Sequence, residues 1–287
     1  MEKRNLRILI LCFAAAFVSG CQAIAPEQLA VQTANLSSSP APLKGFLFKP
    51  EGNGRHPAVI MMHGCGGAYA SSGKLGDRHR MWGEYLAAHG YVVLLLDSFS
   101  SRGIVQLCTT RFAERPLKES DRVGDAYAAL AYLRERADVD TKRVALLGWS
   151  HGAGVTLDAI THKPEEGVGF SAAVAFYPGC SARNKRADRF HPYAPLLVLI
   201  GEADDWTPAL PCKQLTAAVA ARGEAMRIVT YPGTYHDFDN PAVMSKHVRT
   251  EVPNGVNPGL GVTVAPNPEA REDAKKRVLA FLAKTLQ

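Results

Sequence analysis

The stretch Leu146–Gly154, LLGWSHGAG, decides how the rest of the chain is read. An apolar run leads into Ser150, which stands between Gly148 and Gly152 in the pattern Gly-x-Ser-x-Gly. The segment Arg143–Ser150 has the unbroken apolar character of a strand buried on both faces, and HGAG after it opens a helical pattern. A serine at a sharp strand-to-helix turn is held proud of a sheet with its hydroxyl exposed. Glycines on either side let strand and helix approach, because no Cβ obstructs them.

Working outward, the apolar runs Pro57–Gly64, Tyr91–Ser98, Ser171–Pro178 and Pro195–Glu202 have the same character. Two further strands are expected near the start, in LAVQTANL and LKGFLFKP, separated by the turn-rich SSSPAP. Helical spacing fills the gaps. HRMWGEYLAAHG stops at Gly90, and SDRVGDAYAALAYLRERA offers Ser120 or Asp121 as cap. CKQLTAAVAARG ends on Gly223, and PEAREDAKKRVLAFLAKTL closes the chain. Strands alternating with helices predict an α/β class, a doubly wound, mostly parallel sheet flanked by helices. The stretch Asp239–Pro268 has no period and is rich in Pro and Gly, so it is either a packed crossover or a lid.

A serine hydroxyl needs a base to take its proton, and that base needs an orienting acid. An elbow of this type takes its acid and then its histidine from later strand ends. The strand in LLVLIGEADDWTP is followed by Asp204 and Asp205, and RIVTYPGTYHDF presents His236. Either carboxylate could be the acid, the other then capping the turn or the following helix. Oxyanion donors are expected from the backbone N–H of His151, at a helix N-terminus, and of Cys65 in the glycine loop MHGCGG, which His63 braces. Trp149, Trp206, Tyr69, Phe99 and Tyr177 are pocket candidates, with Trp149 equally suited to packing beneath the elbow. Arg102 and Arg111 could receive a substrate carboxylate or pair with acids of the chain. The remaining histidines, His56, His79, His89, His162, His191 and His247, lack metal-ligand spacing, and no cofactor or metal is expected.

Bulk properties fit a single domain from residue 28 to residue 287. The chain has 287 residues, 47% of them apolar, and a formal net charge of +6. The densest basic stretch, Ala182–Arg189, has no aromatic interleaving, so nucleic acid is not expected as a partner. Lys3, Arg4 and Arg7 precede a short apolar run, Ile8–Val18, which has the form of a secretory signal spanning residues 1–20. VSGC places Cys21 where acylation of a bacterial lipoprotein would occur, with residues 21–27 as a tether. By resemblance to such lipoproteins, Gln22 after the cysteine, in place of an aspartate, implies the outer membrane. This reading puts the domain in the cell envelope, facing the periplasm on a lipid anchor, an oxidising compartment. There Cys65, Cys108, Cys180 and Cys212 can form two disulfides in three possible pairings.

The segments HPAVIMMHGCGG, GYVVLLLDSFSSRG, RVALLGWSHGAG, LLVLIGEADDWTP and YPGTYHDFD together resemble the dienelactone hydrolase family of α/β-hydrolases. The resemblance implies the triad Ser150, Asp204 and His236, the acid being favoured at Asp204 because it stands three residues after Gly201. It also implies that the strands before Cys65 and Cys108 are neighbours, as are those before Cys180 and Cys212, hence disulfides Cys65–Cys108 and Cys180–Cys212. The namesake enzymes carry a cysteine nucleophile where this chain has Ser150, so the implied activity is hydrolysis of a carboxylic ester or lactone by serine, on a small-molecule substrate. A peptidase or thioesterase with the same triad, and a non-catalytic envelope binding protein on the same fold, are the alternatives.

Overall fold

The computed structural model describes residues 27–31 (as backbone), 43–162 and 169–287. The expected signal, Cys21 and most of the tether lie outside these residues. The first strands run Glu27–Val31 (β1) and Leu43–Phe48 (β2), so the first starts earlier than LAVQTANL suggests. Then come β3 (His56–Met62), β4 (Val92–Asp97), β5 (Val139–Trp149), β6 (Ala172–Phe176), β7 (Leu196–Gly201) and β8 (Met226–Tyr231). They form one eight-stranded sheet in the order β1-β2-β4-β3-β5-β6-β7-β8. β1 and β2 pair antiparallel, β2 meets β4 antiparallel, and every pairing from β4 to β8 is parallel.

The parallel strands carry no polar alternation because both faces are covered. Val92–Leu96 and Val144–Leu147 are fully buried. Removing a Val, Leu or Ile side chain from water contributes about 1.5–3 kcal/mol, which holds the runs inside. The covering helices are α1 (Asp77–Ala88), α2 (Val123–Arg134), α3 (His151–Ala159), the short α4 (Ser181–Asn184), α5 (Ala209–Ala221) and α6 (Pro268–Thr285). Asn267 caps α6 by accepting from the Ala270 N–H. At α2 the expected cap is replaced. Ser120–Arg122 forms a tight 3-10 turn running straight into the helix, and Asp121 accepts from Lys118 N–H instead.

Asp239–Pro268 packs against the domain rather than standing away from it. It contains a two-stranded antiparallel ladder, β9 (His247–Arg249) with β10 (Val262–Val264). Val252, Val262 and Val264 are buried in a small apolar cluster with Trp206, Cys65 and Cys108. The expected role of Asp205 as a local cap is corrected here. Its carboxylate accepts from Thr263 N–H and Oγ1, each at 2.7 Å, and its carbonyl accepts from Val256 N–H.

Candidate active site

The order β3-β5-β6-β7-β8 brings the C-terminal ends of these parallel strands along one edge, with the residues singled out in the sequence just beyond them. Ser150 joins β5 to α3 with φ 51° and ψ −114°, a left-handed conformation costly for a residue with a Cβ. The flanking glycines explain how the chain tolerates it. A Cβ on Gly152 would lie 2.1 Å from Met62 O, and one on Gly148 would lie 2.2 Å from Gly152 O. Strand and helix therefore touch through backbone alone, and Ser150 N–H is tied to Phe176 O at 2.9 Å.

Beyond β7, Asp204 is buried in its own turn. Its Oδ1 accepts from the N–H groups of Trp206 and Thr207 at 2.9 and 2.8 Å, while its Oδ2 faces His236 Nδ1 at 2.8 Å. Thr207 Oγ1 lies 3.1 Å from the same Oδ2 and 3.0 Å from Tyr177 O. His236 is 1% exposed, and its Nε2 has no hydrogen-bond partner among the described residues. Burial opposes protonation of this imidazole, but the Asp204 charge and hydrogen bond prevail and hold its pKa above the ordinary value.

Ser150 and His236 both border one cavity of about 220 Å³. The glycine loop Gly64–Gly67 forms another part of its wall. A Cβ on Gly64 would stand 3.2 Å from Trp149 O and 3.5 Å from Ser150 Cβ, so the loop passes in contact with the elbow. His63 braces the loop, its Nδ1 2.8 Å from Gly64 O and its Nε2 accepting from Ser98 N–H. Cys65 is bonded to Cys108, and Cys180 to Cys212.

The pocket candidates divide. Tyr69 and Trp206 border the cavity. Trp149 takes the place beneath the elbow and is fully buried. Phe99 and Tyr177 are buried as well. Arg102 is not available to a substrate carboxylate, because it forms a two-pronged pair with Asp125 at 2.7 and 2.8 Å. Arg111 is exposed and is not part of the cavity wall.

A family model described as the dienelactone hydrolase family matches residues 43–286. The chain belongs to the dienelactone hydrolase family. With that membership comes the class of reaction, hydrolysis of a carboxylic ester. A crystal structure of a putative dienelactone hydrolase from Klebsiella pneumoniae superposes with a TM-score of 0.68 at 18% identity, covering 90% of this chain and 99% of that one. An uncharacterised Mycobacterium tuberculosis protein is 28% identical over 212 residues, 68% of each chain. Cutinase 2 of Thermobifida cellulosilytica is 26% identical over 166 residues, 58% of this chain and 55% of its own length.

This family member also contains a polar network that the sequence reading missed. Asp239, fully buried, accepts from Trp82 Nε1 at 2.8 Å, Trp149 Nε1 at 2.9 Å and the Tyr177 hydroxyl at 2.5 Å. Arg78 donates to the Tyr177 hydroxyl at 2.9 Å and pairs with Asp237, which follows His236 directly. Tyr177 and Asp237, like Ser150, have positive φ. The only signal was the density of acids in HDFD, Asp237 and Asp239 beside His236, whose partners lie on distant elements.

Proposed function

We propose that this chain is a serine esterase, acting on a carboxylic ester or lactone through an acyl-enzyme with Ser150, His236 and Asp204 as its triad. Ser150 Oγ adds to the carbonyl carbon while its proton passes to His236 Nε2. The carbonyl electron pair moves to oxygen, where the backbone N–H groups of Cys65 and His151 receive the charge. The tetrahedral adduct then collapses, the C–O bond to the alcohol breaks, and the proton on His236 goes to that leaving oxygen. Water repeats the sequence on the acyl-serine, with His236 again the base, and the acid departs. Asp204 keeps Nδ1 protonated and stabilises the imidazolium throughout.

The observation that carries this reading is the state of His236. One ring nitrogen is engaged by Asp204 at 2.8 Å, the other has no hydrogen-bond partner among the described residues, and the ring shares a cavity with a serine held on a left-handed turn. Short-chain nitrophenyl esters should be hydrolysed by the wild type and not by Ser150→Ala, and a fluorophosphonate should label only the wild type. A wild type as inert and unlabelled as the variant would favour a binding protein. Faster cleavage of aminoacyl amides than of esters would favour a peptidase, and of thioesters a thioesterase.

The location belongs to the same proposal. Cys21, behind its basic and apolar leader, is the acylated residue of an envelope lipoprotein, and the domain faces the periplasm. Metabolic labelling with palmitate, lost in Cys21→Ser, is the expected result.

A further inference from the structure

Arg122 ends the turn leading into α2 and is 0% exposed. Its Nη1 donates to His63 O at 3.0 Å and to His151 Nδ1 at 2.8 Å. One nitrogen thereby joins the glycine loop after β3 to the first residue of α3. The guanidinium lies over the Phe99 ring, 5.0 Å from its centroid, and that ring packs in turn on His63 and His151.

Stability does not account for this arrangement. Nε and Nη2 of Arg122 have no hydrogen-bond partner among the described residues. The carboxylates whose charges bear most on it are paired with other arginines, Asp125 with Arg102 and Glu119 with Arg183. Burial without a paired carboxylate pulls the Arg122 pKa down to about 10, which still leaves the group charged at neutral pH. For folding alone, a well-packed apolar side chain would cost less than a buried cation so sparsely bonded. What an apolar side chain could not do is link the two segments.

We propose that Arg122 is a positioning residue that fixes the separation of the two oxyanion donors, the N–H groups of Cys65 and His151. The proposal rests on the serine esterase reading and deepens it. The donors must meet an oxygen whose charge exists only in the adduct, at roughly 2.7–3.1 Å from each. If the two segments drift apart, the charged adduct loses more than the neutral ester does. The effect then falls on kcat rather than KM. Arg122 also fixes the proton on His151. Because Nδ1 accepts from the guanidinium, the ring is neutral, and burial and then Arg122 hold its pKa well below the ordinary value.

The test compares wild type, Arg122→Met and Arg122→Lys as full-length proteins. It measures kcat and KM on a nitrophenyl ester, Ki for an arylboronic acid that forms a tetrahedral adduct with serine, and Tm. Removal of an oxyanion donor costs roughly a hundredfold or more, so displacement of both should lower kcat about ten- to hundredfold. KM should change less than about threefold, boronate Ki should rise in parallel with the loss in kcat, and the lysine variant should recover part of both. A folded Arg122→Met with wild-type kcat, or a loss confined to KM with boronate affinity intact, overturns the proposal. If the methionine variant does not fold, the lysine variant decides by the same two measurements. A wild type inert toward ester and boronate alike removes the serine esterase reading itself, an outcome distinct from an active wild type matched by its Arg122 variants.

Discussion

The two sides of the candidate site are built on different physics. The serine side is steric. Gly148 and Gly152 let β5, α3 and the loop after β3 touch through main chain, and the elbow follows from that contact. The histidine side is electrostatic. Asp204 orients the ring, and beside it the cavity-lining Arg78 and Asp237 join the buried Tyr177 and Asp239 in a chain of polar groups reaching Trp82 and Trp149. A steric device is written in adjacent residues. An electrostatic one is assembled from residues far apart in the chain. Substitutions should therefore separate the two sides by what they damage.

The largest effect is expected at Asp204. Asp204→Asn preserves the size of the side chain but removes the charge that, in the proposed triad, stabilises the imidazolium and fixes the ring tautomer. The loss in kcat should be roughly ten-thousandfold. Asp205→Asn, one residue on, should leave kcat within about tenfold, since its carboxylate holds Thr263 and not His236. Steady-state ester hydrolysis by the two variants checks the assignment. Equal losses would mean that the acid is shared or misassigned.

Asp239 should reverse the balance between activity and stability. Asp239→Ala leaves two buried indole N–H groups and a buried hydroxyl without their acceptor. Breaking a buried charged hub of this kind costs about 3–5 kcal/mol. Urea unfolding should show that loss, while the folded fraction keeps most of its kcat because Asp239 does not touch the cavity.

These contrasts explain what was legible in the sequence. The sheet could be read because its parallel strands are buried on both faces and so appear as plain apolar runs. Ser150 could be read because its glycines are adjacent to it, and His236 because it follows a strand end. Asp204 against Asp205 was left to resemblance, since two neighbouring carboxylates differ only in which way the turn points them. Arg122 and Asp239 were not legible. Each acts through partners at least 29 residues away, Arg122 on His63 and His151, Asp239 on Trp82, Trp149 and Tyr177. Nothing local marks them, because Arg122 lies in what reads as the start of an amphipathic helix, and Asp239 in a cluster of acids beside a histidine. Asp239–Pro268 also resisted reading, because its anchors are scattered hydrogen bonds to Asp205, a bridge to His236 and a few buried valines rather than a period.

The two disulfides offer a finer comparison. Their sequence separations are 43 and 32, so in the chain-entropy account they should stabilise almost equally, each by about 2–4 kcal/mol. Their positions differ. Cys65 and Cys108 border the cavity that holds Ser150, whereas Cys180 and Cys212 do not. Replacing either pair by serines should lower stability to a similar degree in urea unfolding. Loss of Cys65–Cys108 should also lower kcat several-fold, because the Cys65 N–H is a proposed oxyanion donor, while loss of Cys180–Cys212 leaves kcat within about twofold. Equal effects on kcat would mean that the cavity-side bond serves the fold alone.

The smallest effect is a shift in pH dependence, and it tests the electrostatic side alone. In the proposed mechanism His236 must be neutral to accept the serine proton, so activity should fall as pH drops through its pKa. Burial by itself would push that pKa down, yet Asp204, with a further contribution from Asp237, holds it above the ordinary imidazole value of 6.5, against the opposing charge of Arg78. The acidic limb of kcat/KM should therefore have its midpoint above 6.5. In Asp237→Asn one of the supporting charges is gone while burial and Arg78 still act, so the midpoint should move to lower pH and activity should persist further into acid. Asp204 remains in place in that variant, and its kcat at alkaline pH should stay close to that of the wild type. A midpoint that failed to move down would show that the Asp237 charge does not support the imidazolium, and that Asp204 alone holds the pKa up against burial and Arg78.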